Sequence, residues 1–200
     1  MQKEWFSSWF DTSYYHILYK NRDYEEASLF IDNITQFLKL KSGNVCWDLC
    51  CGKGRHSIYL NKKGYRVIGT DLSECSIHEA NESANESLEF YRHDMRHLFR
   101  TNYFDAIFNL FTSFGYFEKR EDDLRVFDSV QKALKQNGLF VFDYLNSEYV
   151  KNIIVANDTK IVDGITFQIT KRIENNTVIK NIDFKDKGEA FHFEERVKLF

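Results

Sequence analysis

The chain has 200 residues, 43% of them hydrophobic and 16% aromatic, and a formal net charge of -3. This length suits one domain with a small appendage and is enough to bury a core. No basic stripe is visible, which argues against an electrostatic nucleic-acid binder. No window approaches ~18 consecutive apolar residues, and no signal peptide is evident. The sequence therefore predicts a cytoplasmic protein that binds neither nucleic acid nor membrane.

Helices and strands alternate along the chain from residue 24 to about residue 150. Apolar spacing predicts a helix from Tyr24 to about Lys39, with Asp23 placed to cap its start. Short apolar runs predict five strands, which are Val45–Leu49, Tyr65–Thr70, Leu88–Arg92, Phe104–Phe111 and Leu139–Tyr144. Amphipathic segments predict the later helices, which are Arg55–Lys63, Asp71 to about Ala84, and Glu121–Gln136. The alternation implies right-handed crossovers and a parallel sheet with helices on both faces.

These elements predict an α/β fold, a Rossmann-like doubly wound parallel sheet within residues 1–150. The pattern changes after about residue 150. Ile165–Thr170 and Phe191–Glu194 alternate with period two, and Asn175-Asn176 and Lys185–Gly188 supply turn residues. We therefore expect residues 151–200 to form an antiparallel β appendage.

The segment Val45–His56, VCWDLCCGKGRH, lies where the first strand ends. In open parallel sheets, ligands bind at the carboxyl ends of the strands, near the point where strand order reverses. A dinucleotide site needs G-x-G-x-x-G here, and Gly52–Ser57 lacks the third glycine. Asp48 would also repel a pyrophosphate, but it suits a ligand with positive charge and no phosphate. S-adenosylmethionine is such a ligand, so Asp48 and the broken fingerprint disfavour an NAD-type oxidoreductase. Asp71 after the second strand suits a ribose diol, a feature that all ribose-bearing cofactors of this architecture share.

Four segments in register resemble the class I S-adenosylmethionine-dependent methyltransferases, in particular a small-molecule type with a DLCCGxGRHS loop. The segments are Asp48–Ser57, Gly69–Ser73, His93–Arg96 and Phe104–Phe117. Their order and spacing agree over roughly residues 14–150. The resemblance implies S-adenosylmethionine as the cofactor. We expect no metal site, because the four cysteines, Cys46, Cys50, Cys51 and Cys75, form no C-x-x-C pair.

The resemblance also implies which residues contact the cofactor. The residues bordering the methionine part would be Asp48, Cys50, Gly52 and Gly54. Asp71 would hold the ribose, Asp94 and Met95 would meet the adenine, and the floor near the sulfonium would be lined by Asn109, Leu110 and Phe111. Leu72 and Tyr15 complete the expected cofactor-binding set. Each feature also has a structural alternative: Asp71-Leu72-Ser73 can start a helix, Asp94 can cap a turn, and the aromatic N-terminal segment around Tyr15 is either a lid or a cover for apolar surface.

The chain contains no proline, which narrows the range of candidate methyl acceptors. Adenine and amide-nitrogen methyltransferases carry an Asn-Pro-Pro-Tyr-like motif after the fourth strand, where this chain has Asn109–Thr112, and cytosine-carbon enzymes use a Pro-Cys nucleophile. We therefore expect a small-molecule acceptor. Methyl transfer needs alignment and exclusion of water more than a protein nucleophile, so the sequence assigns no catalytic residue.

The resembled enzymes continue, after a segment like Arg196–Phe200, with a helix and a final antiparallel hairpin that complete a seven-stranded sheet. This chain ends at Phe200, so we expect those elements to be absent and the fifth strand to have an unpaired edge. The β appendage or a second subunit, forming a homodimer, would cover that edge, or the chain is a shortened form. The alternative function is therefore an S-adenosylmethionine-binding protein without turnover.

Overall fold

A computed structural model describes residues 4–20 and 24–200, so Asp23 and its expected capping role lie outside the described residues. The helices are α1 Trp5–Trp9, α2 Ser13–Leu18, α3 Tyr24–Leu38, α4 Arg55–Lys62, α5 Glu74–Ala80, α6 Arg120–Ala133 and α7 Ser147–Ile153. The strands are β1 Val45–Leu49, β2 Arg66–Asp71, β3 Leu88–Arg92, β4 Phe104–Asn109, β5 Leu134–Phe142, β6 Asn157–Val162, β7 Ile165–Glu174, β8 Thr177–Asp186 and β9 Glu189–Lys198. None of the described helices has the length and apolar character needed to cross a membrane.

The first five strands form one parallel sheet in the order β3-β2-β1-β4-β5. Strand order reverses between β1 and β4, because the chain runs outward through β2 and β3 before it returns to the other side of β1. Asp48 of β1 lies in register with Gly69 of β2 and Phe108 of β4. The carboxyl ends of β1 and its neighbours therefore meet at one edge of the sheet. The predicted Rossmann-like architecture is confirmed.

This sheet belongs to a compact unit that comprises the described part of residues 21–113 together with residues 117–143. The central strands β1 and β4 are buried along most of their length, as expected of strands covered on both faces. Trp47 and Phe104 are fully buried and stack with ring centroids 5.1 Å apart. The indole Nε1 of Trp47 donates to Thr70 Oγ1 at 2.9 Å, which satisfies its only polar atom.

Several element boundaries differ from the sequence prediction, and two of them, the ends of α6 and β4, have a clear structural reason. Helix α6 ends at Ala133 and not at Gln136, because Leu134 is already extended and pairs with Phe104 of β4. The register then shifts before Ala106 pairs with Leu139. Strand β4 ends at Asn109, earlier than predicted, because the following residues leave the extended conformation.

Strand β5 lies at the edge of the parallel sheet, and within the described residues it pairs only with β4. The antiparallel strands form a separate sheet and add no strand to it. Phe127 of α6 and Phe142 of β5 are exposed, and their ring centroids lie 5.8 Å apart. The expectation of an unpaired fifth strand therefore holds within the described chain, and the homodimer that would cover it stays a prediction.

A second unit comprises the described part of residues 1–20, the short segment Phe114–Tyr116, and Tyr144–Phe200. Its four strands form an antiparallel sheet in the order β6-β7-β8-β9. The predicted turn at Asn175-Asn176 joins β7 to β8, with both residues at positive φ. The expected antiparallel appendage is confirmed, and the elements of this unit that the sequence pattern did not name are α1, α2, α7, β6 and β8.

The N-terminal helices pack on the antiparallel sheet through aromatic rings. Trp9 of α1 lies 4.4 Å from Phe193, and Tyr14 of α2 lies 4.7 Å from Phe184, measured between ring centroids. In this unit the aromatic N-terminal segment therefore covers apolar sheet surface, which was one of its two expected roles.

A polar network accompanies this aromatic packing. Glu195 of β9 accepts hydrogen bonds from Trp9 Nε1 at 2.7 Å and from the Tyr19 hydroxyl at 2.8 Å. The ammonium of Lys180 lies 3.3 Å from the same carboxylate and also contacts the Tyr19 hydroxyl. Burial lowers the pKa of Lys180, although the negative charge of Glu195 opposes that effect. Glu195 thus joins both N-terminal helical segments to the sheet.

Candidate functional site

The loop after β1 contains three residues in the left-handed region: Cys50 at φ 67°, Gly52 at 56° and Gly54 at 81°. At Gly54 a Cβ atom would lie 2.6 Å from the buried ring of Phe90, so glycine is required both by backbone conformation and by packing. At Gly52 a Cβ would meet nothing within 4 Å. Open space beside a left-handed glycine is what a loop that admits a ligand needs.

Asp71, the last residue of β2, holds the loop after β1 in place. Its Oδ2 accepts from the amide nitrogen of Gly52 at 2.8 Å, and its Oδ1 accepts from the amide of Ser73 at 2.9 Å. The hydroxyl of Ser73 caps α5 by accepting from the amide of Ser76. The segment Asp71-Leu72-Ser73 therefore starts a helix and also lies beside the loop, with Leu72 partly exposed.

Asp48 is a buried carboxylate at the end of β1. Its Oδ2 accepts a hydrogen bond of 2.6 Å from the hydroxyl of Ser57 on α4. Burial raises the pKa of Asp48 to about 6, an effect that Ser57 opposes and the charge of Asp71 reinforces. A carboxyl group held this way is stabilised in its ionised form by a nearby positive charge.

Asp94 and Met95 follow β3 and face different surroundings. Met95 is buried, and its sulfur lies 3.5 Å from the thiol of Cys50, which brings the loops after β1 and β3 together. The carboxylate of Asp94 is bound by Arg96, whose Nη2 lies 2.6 Å from Oδ2 and whose backbone amide donates to Oδ1 at 2.9 Å. Burial alone would raise the pKa of Asp94, but the hydrogen bonds and charge of Arg96 prevail and lower it.

The end of β4 is strained and closely supported. Asn109 is buried; its amide Nδ2 donates to the carbonyl of Leu49 at 3.2 Å, and its Oδ1 meets no donor in the described part of the chain. Phe111 and Thr112 follow with φ of 55° and 57°, which side chains with a Cβ rarely adopt. The carboxylate of Asp143, after β5, accepts from the amide of Phe111 at 2.8 Å and so supports this turn.

Phe111 and Leu110 occupy different environments at this turn. Leu110 is buried in the core of the parallel-sheet unit. The partly exposed ring of Phe111 stacks on His56 of α4, with centroids 5.0 Å apart, and the guanidinium of Arg55 lies 4.6 Å from the same ring. The N-terminus of α4 and the turn after β4 are thereby held together across the point where strand order reverses.

Eleven of the twelve expected cofactor residues therefore lie in or beside the loops at the carboxyl ends of β1 to β4. They are Asp48, Cys50, Gly52, Gly54, Asp71, Leu72, Asp94, Met95, Asn109, Leu110 and Phe111. Tyr15 lies in α2 of the other unit, where its ring contacts Trp9, Phe10, His16 and Tyr19. Its expected cofactor role stays a prediction.

Sequence reasoning did not assign roles to three residues that hold these loops: Ser57, Arg96 and Asp143. Asp143 could have been found by the rule that located Asp48 and Asp71, because it also follows a strand of the parallel sheet. Ser57 and Arg96 lie inside the segments Asp48–Ser57 and His93–Arg96, but nothing in the sequence shows that they contact Asp48 and Asp94.

The rest of the described chain contains no metal-binding cluster but does contain a shallow depression. No group of three or more His, Cys, Asp or Glu side chains among the described residues is arranged to hold a metal ion. A shallow depression of about 340 Å³ borders Leu88 at the amino end of β3, together with Ile58, Asn61 and Ser83. It shares no residue with the loops described above.

Proteins of similar sequence are methyltransferases by family or by description. Residues 47–138 match the family described as "Methyltransferase domain". A candidate methyltransferase of Bacillus subtilis (strain 168), YqeM, is 36% identical over 105 residues, which cover 50% of this chain and 42% of that protein. The chain thus spans about two fifths of that relative's length.

Solved structures share the fold over nearly the whole chain. An S-adenosylmethionine-dependent methyltransferase from Clostridium acetobutylicum ATCC 824 superposes with a TM-score of 0.75 at 22% identity, covering 94% of this chain and 79% of that one. CalS10, an amino pentose methyltransferase from Micromonospora echinaspora solved with S-adenosylmethionine bound, gives 0.69 at 16% identity, covering 94% and 83%. Residues 47–138 of this chain therefore match a methyltransferase domain family, and the chain shares its fold with S-adenosylmethionine-dependent methyltransferases of solved structure.

Proposed function

We propose that this chain binds S-adenosylmethionine at the carboxyl ends of β1 to β4 and transfers its methyl group to a small molecule. The observation that carries the proposal is the set of three carboxylates that end β1, end β2 and follow β3: Asp48, Asp71 and Asp94. They lie at the strand-order reversal, in a unit that matches a methyltransferase family over residues 47–138.

Two features of the edge fit a cationic ligand that also donates hydrogen bonds. Buried Asp48, with its raised pKa, favours a positive charge nearby. The buried Oδ1 of Asn109 meets no donor among the described residues, and a buried acceptor of this kind is normally satisfied by a partner. The cofactor's ammonium and sulfonium groups supply charge, its ammonium, ribose and adenine supply donors, and it carries no phosphate for Asp48 to repel.

The expected division of labour among the residues follows their positions. Asp48 and the loop Cys50–Gly54 would hold the amino-acid end, Asp71 the ribose hydroxyls, and Asp94 with Met95 the adenine. The cofactor, when bound, supplies a methyl group on positively charged sulfur, and the S–CH₃ bond electrons stay on that sulfur when the acceptor takes the methyl group. The protein's part is to align the two reactants and exclude water, as the buried side chains of Asn109 and Leu110 favour.

A small-molecule acceptor is supported by the absence of proline, which leaves Asn109–Thr112 without the motif of nucleobase and amide-nitrogen methyltransferases. The acidic net charge also disfavours a nucleic-acid substrate. The related structure CalS10 acts on an amino pentose, which is a small molecule. The alternative, cofactor binding without turnover, has no observation of its own in its favour.

The proposal is tested first by ligand-induced stabilisation. S-adenosylhomocysteine, the demethylated cofactor, at about 100 times its dissociation constant should add about 2.7 kcal/mol of stability and raise the Tm by roughly 5–11 °C. NAD at the same concentration should leave the Tm unchanged. A shift with NAD and none with S-adenosylhomocysteine would refute the cofactor assignment.

A second measurement separates an enzyme from a binder. The chain is incubated with S-adenosylmethionine carrying a labelled methyl group and with pooled small metabolites, sugars and amines included. Transfer of label to a small molecule supports the proposed activity. Binding of S-adenosylhomocysteine without transfer to any pool would leave only the binding function.

A further inference from the structure

The loop that follows β3 contains an arginine whose contacts bear on adenine recognition. The Nε of Arg96 lies 3.0 and 3.1 Å from the two carboxylate oxygens of Asp94, and its Nη2 lies 2.6 Å from Oδ2. The backbone amide of Arg96 adds a bond of 2.9 Å to Oδ1. Side chains of both residues are largely shielded, with exposed fractions of 17% and 18%. This is a paired, forked contact, the strongest geometry available to an arginine and a carboxylate.

The far side of the same guanidinium is also occupied. It lies 4.7 Å from the ring centroid of Phe117, between β4 and α6, and its Nη1 lies 3.6 Å from Asp122 in the first turn of α6. Arg96 therefore connects the loop after β3 to the connection between β4 and α6, and three contacts in different directions hold its plane.

The loop's backbone does not depend on this arginine. The amide of His93 donates to the carbonyl of Asp71 at 2.9 Å, and the amide of His97 donates to the carbonyl of Asp94 at 3.0 Å. The hydroxyl of buried Ser129 on α6 donates to the carbonyl of His97 at 2.8 Å. These bonds would keep the loop's path without Arg96, so its side chain acts mainly on the orientation of the Asp94 carboxylate.

A carboxylate has about four acceptor positions, and the three N–H donors of Arg96 engage most of them. The carboxylate of Asp94 can therefore accept about one further hydrogen bond, and its contact with the guanidinium of Arg96 sets the direction of that bond. An exocyclic amino group offers such a donor, whereas a carbonyl oxygen in its place would face the carboxylate with like polarity.

From this geometry we propose that Arg96 is a positioning residue for adenine recognition: it orients Asp94 so that one acceptor is left for the adenine amino group. The inference rests on the proposed function, because it requires the adenosyl cofactor at this edge. Lysine cannot replace Arg96 in this role, since an ammonium group lacks the planar fork and the stack on Phe117. Asp94 is the recognising group, and Arg96 acts through it.

The test compares two ligands that differ only at the amino group: S-adenosylhomocysteine and S-inosylhomocysteine, measured by calorimetry. The wild-type protein should prefer the adenosyl ligand by at least about tenfold, because a site built for a donor rejects an analogue that lacks it. Arg96→Lys and Arg96→Gln should reduce this preference to about threefold or less. Adding Asp94→Asn to Arg96→Gln should change the preference no further, since both residues act in one contact.

Arg125→Gln is the matched control. Arg125 also pairs with Asp122, at 3.0 Å, but it is exposed on α6 and does not contact Asp94. The preference of the Arg125→Gln variant for S-adenosylhomocysteine over S-inosylhomocysteine should equal that of the wild-type protein. If the Arg96 variants weaken both ligands equally and keep the wild-type preference, Arg96 is only structural and the inference is wrong. If the wild-type protein binds neither ligand, the proposed function has failed instead.

Discussion

The amide nitrogen of Gly52 donates a 2.8 Å hydrogen bond to the carboxylate of Asp71, joining the loop after β1 to the end of β2. The same carboxylate accepts from the amide of Ser73, so one side chain orders two loops. Gly52 has open space on its Cβ side, while Gly54 faces the ring of Phe90. One glycine of the pair therefore serves packing, and the other leaves room.

Replacing Asp71 with alanine should weaken the binding of S-adenosylhomocysteine by at least about tenfold. The change removes an acceptor from two backbone amides and, on the proposed function, from the ribose hydroxyls. The measurement is isothermal calorimetry. Asp128→Ala is the control, because Asp128 is an exposed acid of α6 that pairs only with Lys132 in the described contacts. Unchanged affinity in Asp71→Ala would refute the ribose assignment.

Asp48→Asn should make the ligand-free protein more stable at neutral pH. The folded-state pKa of Asp48 is raised to about 6 from 3.8, so the folded chain holds this proton more tightly than the unfolded chain does. That raised pKa makes wild-type stability fall as pH rises from about 4 to 6 and leaves it lower above pH 6. The advantage of the variant should therefore grow by about 1–3 kcal/mol between pH 4 and pH 7.5. Urea unfolding at the two pH values measures it, and an advantage that does not grow contradicts the assignment.

The same substitution should act in the opposite direction on cofactor affinity. Wild-type affinity for S-adenosylhomocysteine should fall about three- to tenfold between pH 7.5 and pH 5, as Asp48 takes up a proton and no longer attracts the ligand's ammonium. Asp48→Asn should bind weakly at both pH values with little change between them. A wild-type affinity that stays constant across this range would separate Asp48 from the ligand's charge.

Gly54→Ala should cost more stability than Gly52→Ala. Both residues have positive φ, which costs an alanine about 1 kcal/mol. At position 54 the new methyl group also meets the buried ring of Phe90 at 2.6 Å, so the total should reach about 2–4 kcal/mol. Urea unfolding of both variants gives the comparison, and Phe90→Leu in the Gly54→Ala background should recover part of the loss. Equal costs at the two positions would show that packing against Phe90 does not matter.

Glu195→Gln should lower the free energy of unfolding of the antiparallel-sheet unit by about 2–3 kcal/mol. The substitution leaves the largely buried ammonium of Lys180 without its counter-charge. Glu194→Gln is the neighbouring control and should cost less than about 1 kcal/mol, since its partners are more exposed arginines. Hydrogen exchange across Thr177–Lys198 reports the change. Adding Lys180→Met to Glu195→Gln should restore protection, and failure to do so would exclude an unpaired charge as the cause.

The order of the parallel elements was predictable because period, glycine and capping signals are local. β1 and β3 were predicted with their observed bounds, and both Asp48 and Asp71 were assigned from their places at strand ends. The end of α6 was not predictable, because Leu134 joins the sheet through a long-range pairing with Phe104 that outweighs its helical pattern.

The supporting residues of the site depend on contacts that a sequence does not display. Nothing in the motif His93–Arg96 shows that Arg96 forks onto Asp94 or stacks on Phe117. The successive left-handed residues Phe111 and Thr112 have no glycine signal, and Asp143, which follows β5, supports Phe111 from 32 residues further along the chain. Such conformations persist where the surroundings over-determine them.

The bond between Trp9 and Glu195 spans 186 positions of the chain. During biosynthesis α1 and α2 emerge from the ribosome long before β7 to β9, the strands on which they pack, have been synthesised. The aromatic side chains of α1 and α2 therefore remain exposed to solvent while the intervening residues 24–143 can already begin to fold. Because contacts of such large sequence separation form slowly, we expect the packing of α1 and α2 on the antiparallel sheet to be a late step of folding.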